Sequence, residues 1–407
     1  IRRPPRSTPK PSSAASDVYK RQAYHLCKAG IQKVVLLERE PFFGTGATGR
    51  CEGGIRYQFN TEINIRLSQI SLPMLDALEE ETGISALIRK CGYLFVLTRE
   101  IDVEHFQKTV ELQNRLGVST EWLDSQEVRK LAQPCFFEDA LAGCINREDG
   151  LADPHSVVSA YINAAKRLGA SCVTECNVTG IEMDGEHIAA VQTNQGSVST
   201  RIVVNACGPW SQKPASWVGL ELPVKPLRRQ WLVTEGITEI PESFPFVIDF
   251  AQSLYFHSEG PVILTGMSNP HEKFGEDQSI DPLWEENHIE KAIQRMPLLG
   301  ATGIKARQAG LYEVTPDAHP IVGKTPVEGF FVVTGFSGHG FMHGPVCGML
   351  ISELISEGHT KSLNISDLEL DRFGNSLLNK EYNAVSYTHL RAHETDSYLV
   401  CRRLLEK

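Results

Sequence analysis

Apolar residues along this chain recur with two different periods, which indicate where helices and strands form. Between residues 61 and 130 the spacing is mostly helical, as in LSQISLPMLDALEEETG and FQKTVELQNRLG, with one strand predicted at 92–98. Continuous apolar runs such as VVLLERE and RIVVNACGPW are typical of strands buried on both faces of a parallel sheet. Residues 226–270 favour β-structure in short segments. The pattern therefore predicts an α/β fold.

Residues 23–40 have the pattern of the second half of a Rossmann-type βαβ unit. A helix ends at Gly30, and the buried strand that follows ends in Glu38, where an acid can bind a ribose hydroxyl of a dinucleotide. Such a unit also needs a first strand and a G-x-G-x-x-G turn about 20 residues before the acid. Counting back from Glu38 leads to SSAASDVYK, and Gly30 is the first glycine of the chain. Either this is not a Rossmann unit or its native start has been replaced, and we favour replacement.

The two ends of the chain differ in composition from the rest. Residues 1–22 hold four prolines, a serine cluster and six basic residues against one aspartate, a composition that does not build a packed element. A transit peptide is the alternative, but the apolar face of a targeting helix is missing. Residues 385–407 do not continue the pattern that precedes them. We predict that both segments are foreign or disordered tails.

Charge and cysteine content exclude several classes of function. The chain has 407 residues, a formal net charge of −10 and a pI near 5.8, which argues against nucleic acid as a partner. No run of residues approaches the ~18 apolar residues of a membrane span. The ten cysteines include no C-x-x-C pair. We therefore predict no metal site, and free thiols in a cytoplasmic protein.

Two segments are rich in glycine, residues 42–59 (FFGTGATGRCEGGIRYQF) and 332–345 (VVTGFSGHGFMHGP). Because glycine weakens helices and strands, its clustering suggests an unusual backbone path or a ligand close to the main chain. The first segment lacks the G-K-[ST] sequence of an NTPase phosphate loop. With Arg50 and Arg56, it fits a loop that wraps a flat, anionic cofactor.

Five motifs occur in a family-specific order: AGIQKVVLLERE, GTGATGRCEGGIR, VVNACGPW, GLYEVTPDAHPIVG and VVTGFSGHGFMHGP. Through them the chain resembles, from about residue 23 to 360, the FAD-dependent D-amino-acid oxidase, glycine oxidase and sarcosine oxidase family, and most of all its sarcosine oxidase β-subunit-like oxidoreductases. The resemblance implies a Rossmann-like FAD-binding domain, whose first βα element with G-x-G-x-x-G is missing here, interleaved with a substrate domain built on a mixed β-sheet. The implied segments are 23–60, 150–225 and 301–360 for the FAD-binding domain, 61–149 and 226–300 for the substrate domain, and 361–384 for a C-terminal extension.

The resemblance also implies an enzyme that oxidises the C–N bond of a small amino or imino acid, similar to sarcosine, glycine or proline, by hydride transfer to flavin N5. FAD is expected to bind non-covalently, because Gly310 stands where single-chain sarcosine oxidases carry the attaching cysteine. The lysines that such oxidases use with oxygen are missing from PVILTG and from the position of Met342, which favours a dehydrogenase.

The implied partners are an amino-acid-like substrate and either an electron acceptor or other subunits. Two alternatives stay open. One is a catalytically silent FAD-binding subunit or assembly factor, and the other is an FAD dehydrogenase of a different small substrate, such as a glycerol-phosphate type.

The family pattern finally implies roles for individual residues. Tyr255 and His257 alternate on one predicted strand and therefore share a face, which would point to the substrate. His339 and Arg56 complete the candidate catalytic group, although a structural ion pair is the alternative for Arg56. The residues expected to contact FAD are Glu38, Arg39, Gly46, Thr48, Gly49, Arg50, Gly53, Gly54, Val173, Ala206, Gly208, Trp210, Gly310, Gly335, Gly338, His339, Gly340, Phe341 and Met342.

Overall fold

The computed structural model describes residues 18–374 and 378–383. Local chemistry accounts for several helix ends: the Asp153 carboxylate accepts the N–H of Ser156 at 2.7 Å before one helix, and Gly358, with a φ of 82°, ends another. The helices are α1 (Val18–Lys28), α2 (Glu62–Asp76), α3 (Leu78–Thr82), α4 (Glu100–Arg115), α5 (Ser125–Leu131), α6 (Pro154–Arg167), α7 (Gln212–Trp217), α8 (Pro282–Arg295) and α9 (Gly340–Glu357). Short 3-10 helices lie at Thr48–Arg50, Gly208–Trp210, Pro297–Ala301, Ser366–Leu368 and Leu370–Gly374.

The strands occur between these helices along the chain, several of them in consecutive runs. They are β1 (Val35–Leu37), β2 (Gly54–Ile55), β3 (Tyr93–Leu97), β4 (Glu121–Asp124), β5 (Ala142–Asn146), β6 (Gly150–Leu151), β7 (Ser171–Val173), β8 (Val178–Asp184), β9 (His187–Thr193), β10 (Gly196–Ser199), β11 (Val203–Asn205), β12 (Lys225–Thr234), β13 (Phe246–Asp249), β14 (Leu254–Glu259), β15 (Val262–Met267), β16 (Ile304–Val314), β17 (Ile321–Lys324) and β18 (Phe330–Thr334).

The largest sheet has eight strands in the order β16-β12-β15-β14-β13-β3-β5-β4. Its β13–β3 pair is parallel and the other pairs are antiparallel, so the sheet is mixed, as the resemblance implied. One boundary differs from the prediction. Strand β16 pairs with β12 from Ile304 to Val314, so this segment belongs to the large sheet rather than to the FAD-binding domain that was expected to begin at residue 301.

Two smaller sheets contain the parallel pairs that the apolar runs predicted. Strand β1 pairs with β7, and β11 pairs with β18. On its other side β18 pairs with the antiparallel strand β17. Helix α1 packs against both α6 and α9, over an apolar core that includes Leu36 and Val333. Parallel strands covered by helices form the α/β architecture expected of the FAD-binding domain.

Helix α1 begins before the predicted end of the N-terminal tail. Arg21 and Gln22 are buried, and Gly344 and Gly348 of α9 leave room for Arg21, because a Cβ at either glycine would lie within 3.0 Å of it. The expected tail boundary after residue 22 is therefore wrong for residues 18–22, which form the first turns of a packed helix. Residues 1–17 and 385–407 lie outside the described part of the chain, and their nature stays a prediction.

The described residues contain neither a membrane-spanning helix nor a cluster of metal-binding side chains. None of the helices found there has the length and apolar character needed to cross a bilayer. The same residues contain no cluster of three or more His, Cys, Asp or Glu side chains that could hold a metal ion.

Candidate functional site

A cavity of about 120 Å³ lies between the first glycine-rich segment, the large sheet and the beginning of α9. Several of the predicted site residues line it: Arg50, Gly53, Gly54, Arg56, Tyr255, Gly310, Gly338, His339, Phe341 and Met342. The wall also includes residues that were not predicted, among them Glu52, Tyr93, Arg229 and Tyr312. The fold thus brings both glycine-rich segments to one place, although about 280 residues separate them in sequence.

A second group of predicted residues lies at the carboxyl ends of β1 and β11. Glu38 is fully buried and accepts the N–H of Glu40 at 3.1 Å, and the guanidinium of Arg39 lies 4.4 Å from the centre of the Trp210 ring. Val173, Ala206 and Gly208 belong to the same region. The carboxyl ends of parallel strands are where such folds bind dinucleotides. A role of these residues towards FAD stays a prediction.

A groove of about 610 Å³ runs between β1 and β11 and is lined by Val34–Leu37 on one side and Val203–Ala206 on the other. Within residues 18–374 and 378–383, each of these two strands pairs with a neighbour on one side only. The Arg39–Trp210 contact joins their carboxyl ends, and Lys33 and Ile202 line the groove near their amino ends. Both strands therefore run in the same direction, with space between them.

The structure favours glycine at three positions of the turn before α9, for a different reason at each. Gly338 has a φ of 102°, and a Cβ there would lie 2.3 Å from the ring of Tyr312. Gly335 has a φ of 81° and donates its N–H to Glu313 at 3.0 Å. Gly340 begins α9 and would place a Cβ 3.1 Å from Phe336. The crowding at Gly338 and Gly340 thus comes from aromatic side chains of the protein itself.

Glu52 and Tyr255 form a hydrogen-bonded pair in the wall of the cavity, with the Tyr255 hydroxyl donating to the carboxylate. Enclosure by the protein raises the pKa of Glu52 from 4.5 to about 7. Burial also raises the pKa of Tyr255, so this phenol stays protonated and able to donate. Sequence reasoning missed Glu52, although it is the only acid among residues 42–59. Its position as a lone acid inside a glycine-rich segment was the signal that could have identified it as a site residue.

Arg56 is buried, and its guanidinium donates to main-chain oxygens of Gln58 and Asn383, the latter at 2.9 Å. The same group lies 4.1 Å from the centre of the Phe59 ring. These hydrogen bonds reach carbonyls rather than the carboxylate that the alternative of a structural ion pair requires. Arg56 lines the cavity, and its role towards flavin or substrate stays a prediction. Burial lowers the pKa of Arg56.

His339 lines the cavity, but both of its ring nitrogens are engaged elsewhere. Nε2 is 2.9 Å from the carbonyl oxygen of Ala318, and Nδ1 is 3.2 Å from Nδ1 of His343, whose Nε2 is 2.9 Å from the Ser68 hydroxyl. Burial lowers the pKa of His339 to about 3 and that of His343 well below its usual value. Both imidazoles are therefore neutral at physiological pH.

His257 is on the same face of β14 as Tyr255, as the alternation predicted, because both rings stack on Phe246, at 4.9 and 5.6 Å between centroids. Its side chain nevertheless does not line the cavity. Burial lowers its pKa to about 3. A direct role for His257 towards substrate, which was expected, does not agree with this placement.

Arg228 and Arg229 are adjacent on β12 but have different surroundings. Arg228 lies 3.1 Å from both Glu272 and Asp277, so acidic side chains already neutralise it. Arg229 lines the cavity, and its guanidinium lies 5.5 Å from the centre of the Tyr312 ring. This leaves Arg229 as the arginine of the pair that faces the site.

The site fits the flavin group that the resemblance implies. Main chain at Gly53, Gly54 and Gly338 forms part of the cavity wall, and the N-terminal turn of α9, which has no acidic residue, faces the same space. Free N–H groups and the helix dipole at such an end stabilise negative charge. Residues 338–342 and Arg50 would then hold the flavin end of FAD, which stays a prediction.

Residues 378–383, here named the C-terminal strap, hold the loop that carries Arg56. The buried Glu381 carboxylate accepts from Thr61 Oγ1 at 2.8 Å, Asn64 Nδ2 at 3.1 Å and the Asn60 N–H at 3.1 Å. The strap therefore connects the C-terminal region to the first glycine-rich segment.

Glu381→Ala is expected to lower the free energy of unfolding by about 3 kcal/mol, because two buried side-chain donors and one half-buried N–H lose their carboxylate acceptor at once. Urea denaturation measures this loss. Asn379→Ala, in an exposed part of the strap, is the matched control and should stay within about 0.5 kcal/mol of the parent protein. Equal stability of the two variants would contradict the assigned role of Glu381.

Comparison with known proteins places this geometry in a family. The model of the family described as FAD dependent oxidoreductase matches residues 22–354. Mitochondrial sarcosine dehydrogenase of Mus musculus is 30% identical over 371 residues, which cover 87% of this chain and 40% of that protein. Sarcosine oxidase subunit beta of Rhodobacter capsulatus is 24% identical over 83% of this chain and 82% of its own length. L-Proline dehydrogenase from P. horikoshii superposes with a TM-score of 0.82 at 31% identity, covering 88% of this chain and 95% of that one.

These similarities confirm the predicted family, fold class and cofactor. The chain spans about two fifths of the length of the sarcosine dehydrogenase that it matches. The expected domain boundaries that the fold did not correct, and the roles of individual site residues, stay predictions. Because the family model matches residues 22–354, which are most of this chain, the chain belongs to the FAD-dependent oxidoreductase family.

Proposed function

We propose that the protein oxidises the C–N bond of a small amino or imino acid of the sarcosine, glycine or proline type. The observation that carries the proposal is a small cavity with an acid, Glu52, and an arginine, Arg229, in its wall. Opposite charges in one enclosed space match the ammonium and carboxylate groups of such a substrate. FAD, when bound, would supply the acceptor for the hydride that leaves the carbon next to nitrogen.

The phosphate-bearing alternative has less support. A glycerol-phosphate type of substrate needs several converging basic groups. Arg228 is already neutralised by Glu272 and Asp277. In the cavity wall, Arg50 and Arg56 already donate to main-chain carbonyls. A relative named as a β subunit supports a role for other subunits or an external electron acceptor in the proposal. The cytoplasmic location stays a prediction, and another relative is named as mitochondrial.

Within this function, we propose a dehydrogenase rather than an oxidase. The cations among the described residues of the cavity wall are Arg50, Arg56 and Arg229, and no lysine is among them. Arg50 and Arg56 already donate hydrogen bonds to main-chain carbonyls, which reduces what they can offer to superoxide. His339 and His343 could have replaced a lysine only if protonated, and the low pKa of His339, about 3, keeps it neutral. Weak stabilisation of superoxide would then make reoxidation by oxygen slow.

Sarcosine and L-proline should bleach the flavin absorbance of the FAD-loaded protein under anaerobic conditions. Reoxidation by an artificial acceptor such as dichlorophenolindophenol should then be faster than reoxidation by air by about tenfold or more, equivalent to about 1.4 kcal/mol. Equal rates with air and with the dye would contradict the dehydrogenase assignment. Absence of bleaching by any small amine would instead support the catalytically silent alternative.

A further inference from the structure

Glu52 is the only acid among the described residues that line the cavity. Its Oε1 accepts the hydrogen bond from Tyr255, and within the described residues Oε2 has no hydrogen-bond partner of its own. A carboxylate has two oxygens and can accept from both. One oxygen is thus held by the protein, and the other is available to a group inside the cavity.

The phenol that holds Glu52 is itself fixed in position. The Tyr255 ring stacks on Phe246 at 5.6 Å, and its hydroxyl lies over Gly266 of the neighbouring strand, where a Cβ would be 2.0 Å from it. Gly266 leaves room for this hydroxyl, so the phenol reaches from the large sheet to the loop that carries Glu52. The carboxylate therefore has a defined orientation before any ligand binds.

The electrostatic surroundings suit proton acceptance near neutral pH. Burial and the charge of Glu259 raise the pKa of Glu52, and the hydrogen bond from Tyr255 lowers it, with a result of about 7. The other titratable groups of the cavity wall are Arg50, Cys51, Arg56, Arg229, His339 and the phenols of Tyr93 and Tyr312. A general base is most effective when its pKa lies close to the working pH.

We propose that Glu52 binds the ammonium nitrogen of an amino-acid substrate and removes one of its protons before the C–N bond is oxidised. This inference rests on the proposed function. In the step, one N–H bond breaks, its electron pair stays on nitrogen, and the proton bonds to a Glu52 oxygen. The products are a neutral amine and a carboxylic acid, so the step needs no oxidant. The free lone pair on nitrogen then favours loss of hydride from the adjacent carbon.

The first test compares Glu52→Gln with the parent protein at several pH values, with sarcosine as substrate. In the parent, kcat/KM should rise as the pH passes through about 7, because the ionised carboxylate is the acceptor. Glu52→Gln should lose that inflection and about 100-fold or more of kcat/KM. The control is Glu259→Gln, an exposed acid at the end of the same strand as Tyr255, which should keep kcat/KM and the inflection, with the inflection moved slightly to lower pH because the charge of Glu259 raises the pKa of Glu52. An unchanged profile in Glu52→Gln would overturn the inference.

Tyr255→Phe tests whether Tyr255 orients the Glu52 carboxylate. The expected effect is a shift of the pH at which kcat/KM changes, rather than a loss of that inflection. Because the hydroxyl of Tyr255 lowers the pKa of Glu52, its removal should move the inflection of kcat/KM to higher pH. The ring and its contact with Phe246 remain in this variant. A shift to lower pH, or none, would contradict the assigned pair.

Two measurements need no turnover. The carboxyl pKa is raised by folding from 4.5 to about 7, so its contribution to stability is present at low pH and is lost as the pH rises through 7. The melting temperature of Glu52→Gln, taken relative to that of the parent at the same pH, should therefore be higher at pH 8 than at pH 5. Calorimetry should also show that the parent prefers L-proline to tetrahydrofuran-2-carboxylate, which lacks the ammonium group, and that Glu52→Gln loses this preference.

These outcomes separate the inference from the function on which it rests. If sarcosine or L-proline reduces the flavin and Glu52→Gln is unaffected, only the role of Glu52 is wrong. If no amine reduces the flavin, the proposed function fails, and the calorimetric preference for L-proline still decides whether Glu52 binds an ammonium group. Loss of that preference in Glu259→Gln as well would contradict a specific role for Glu52.

Discussion

Replacing residues 1–17 with an apolar strand and a glycine-rich turn is expected to increase the affinity of the protein for FAD by about tenfold or more, as an anion gains a helix N-terminus. The reason is the groove of about 610 Å³ between β1 and β11. Both strands run in the same direction and pair on one side only within the described residues, so a parallel strand between them would join the two small sheets. The turn after it would lie beside Glu38, at the carboxyl ends of these strands.

Isothermal titration with FAD measures the gain. Amide hydrogen exchange at Leu37 and Val204, which face the groove because the residues on either side of each bond to β7 or β18, reports on the new pairing independently of FAD. The matched control carries prolines in the added strand, because proline has no N–H to donate to either neighbour. This control should show neither effect. Slow exchange at Leu37 and Val204 in the chain with residues 1–17 unchanged would contradict the prediction, because the groove would then already be filled.

Gly338→Ala is expected to lower the free energy of unfolding by about 3 kcal/mol, the sum of a left-handed backbone and a steric overlap. Gly338 has a φ of 102°, and a Cβ would lie 2.3 Å from the ring of Tyr312. Tyr312 lines the cavity, so its displacement should also weaken FAD binding.

Gly358→Ala, at the other end of α9, is the matched control. Gly358 has a φ of 82°, and nothing lies within 4 Å of a Cβ built there. This variant should therefore lose only about 1–2 kcal/mol, the cost of the left-handed backbone, and should keep its affinity for FAD. Equal losses of stability and of FAD affinity in the two variants would show that the contact with Tyr312 has no effect.

Sequence alternation predicted the placement of some site residues in part only. The alternation of Tyr255, Phe256 and His257 predicted a shared face, and both rings contact Phe246 on that face. The same alternation could not tell that the wall of the cavity includes Tyr255 and omits His257. Period-2 geometry determines which side of a sheet a residue occupies, while neighbouring strands determine what that side meets.

Local pattern alone determined the α/β class, the buried strand that ends in Glu38 and the turns that need glycine, because periodicity and backbone sterics act within a few residues. Only the tertiary structure decided which distant groups meet. Glu52 is 203 positions from Tyr255, and Arg56 is 327 positions from Asn383, yet each pair is joined by a hydrogen bond. The pKa of Glu52 near 7 likewise follows from enclosure by several segments. Such contacts depend on the packing of the whole fold, which no local pattern specifies.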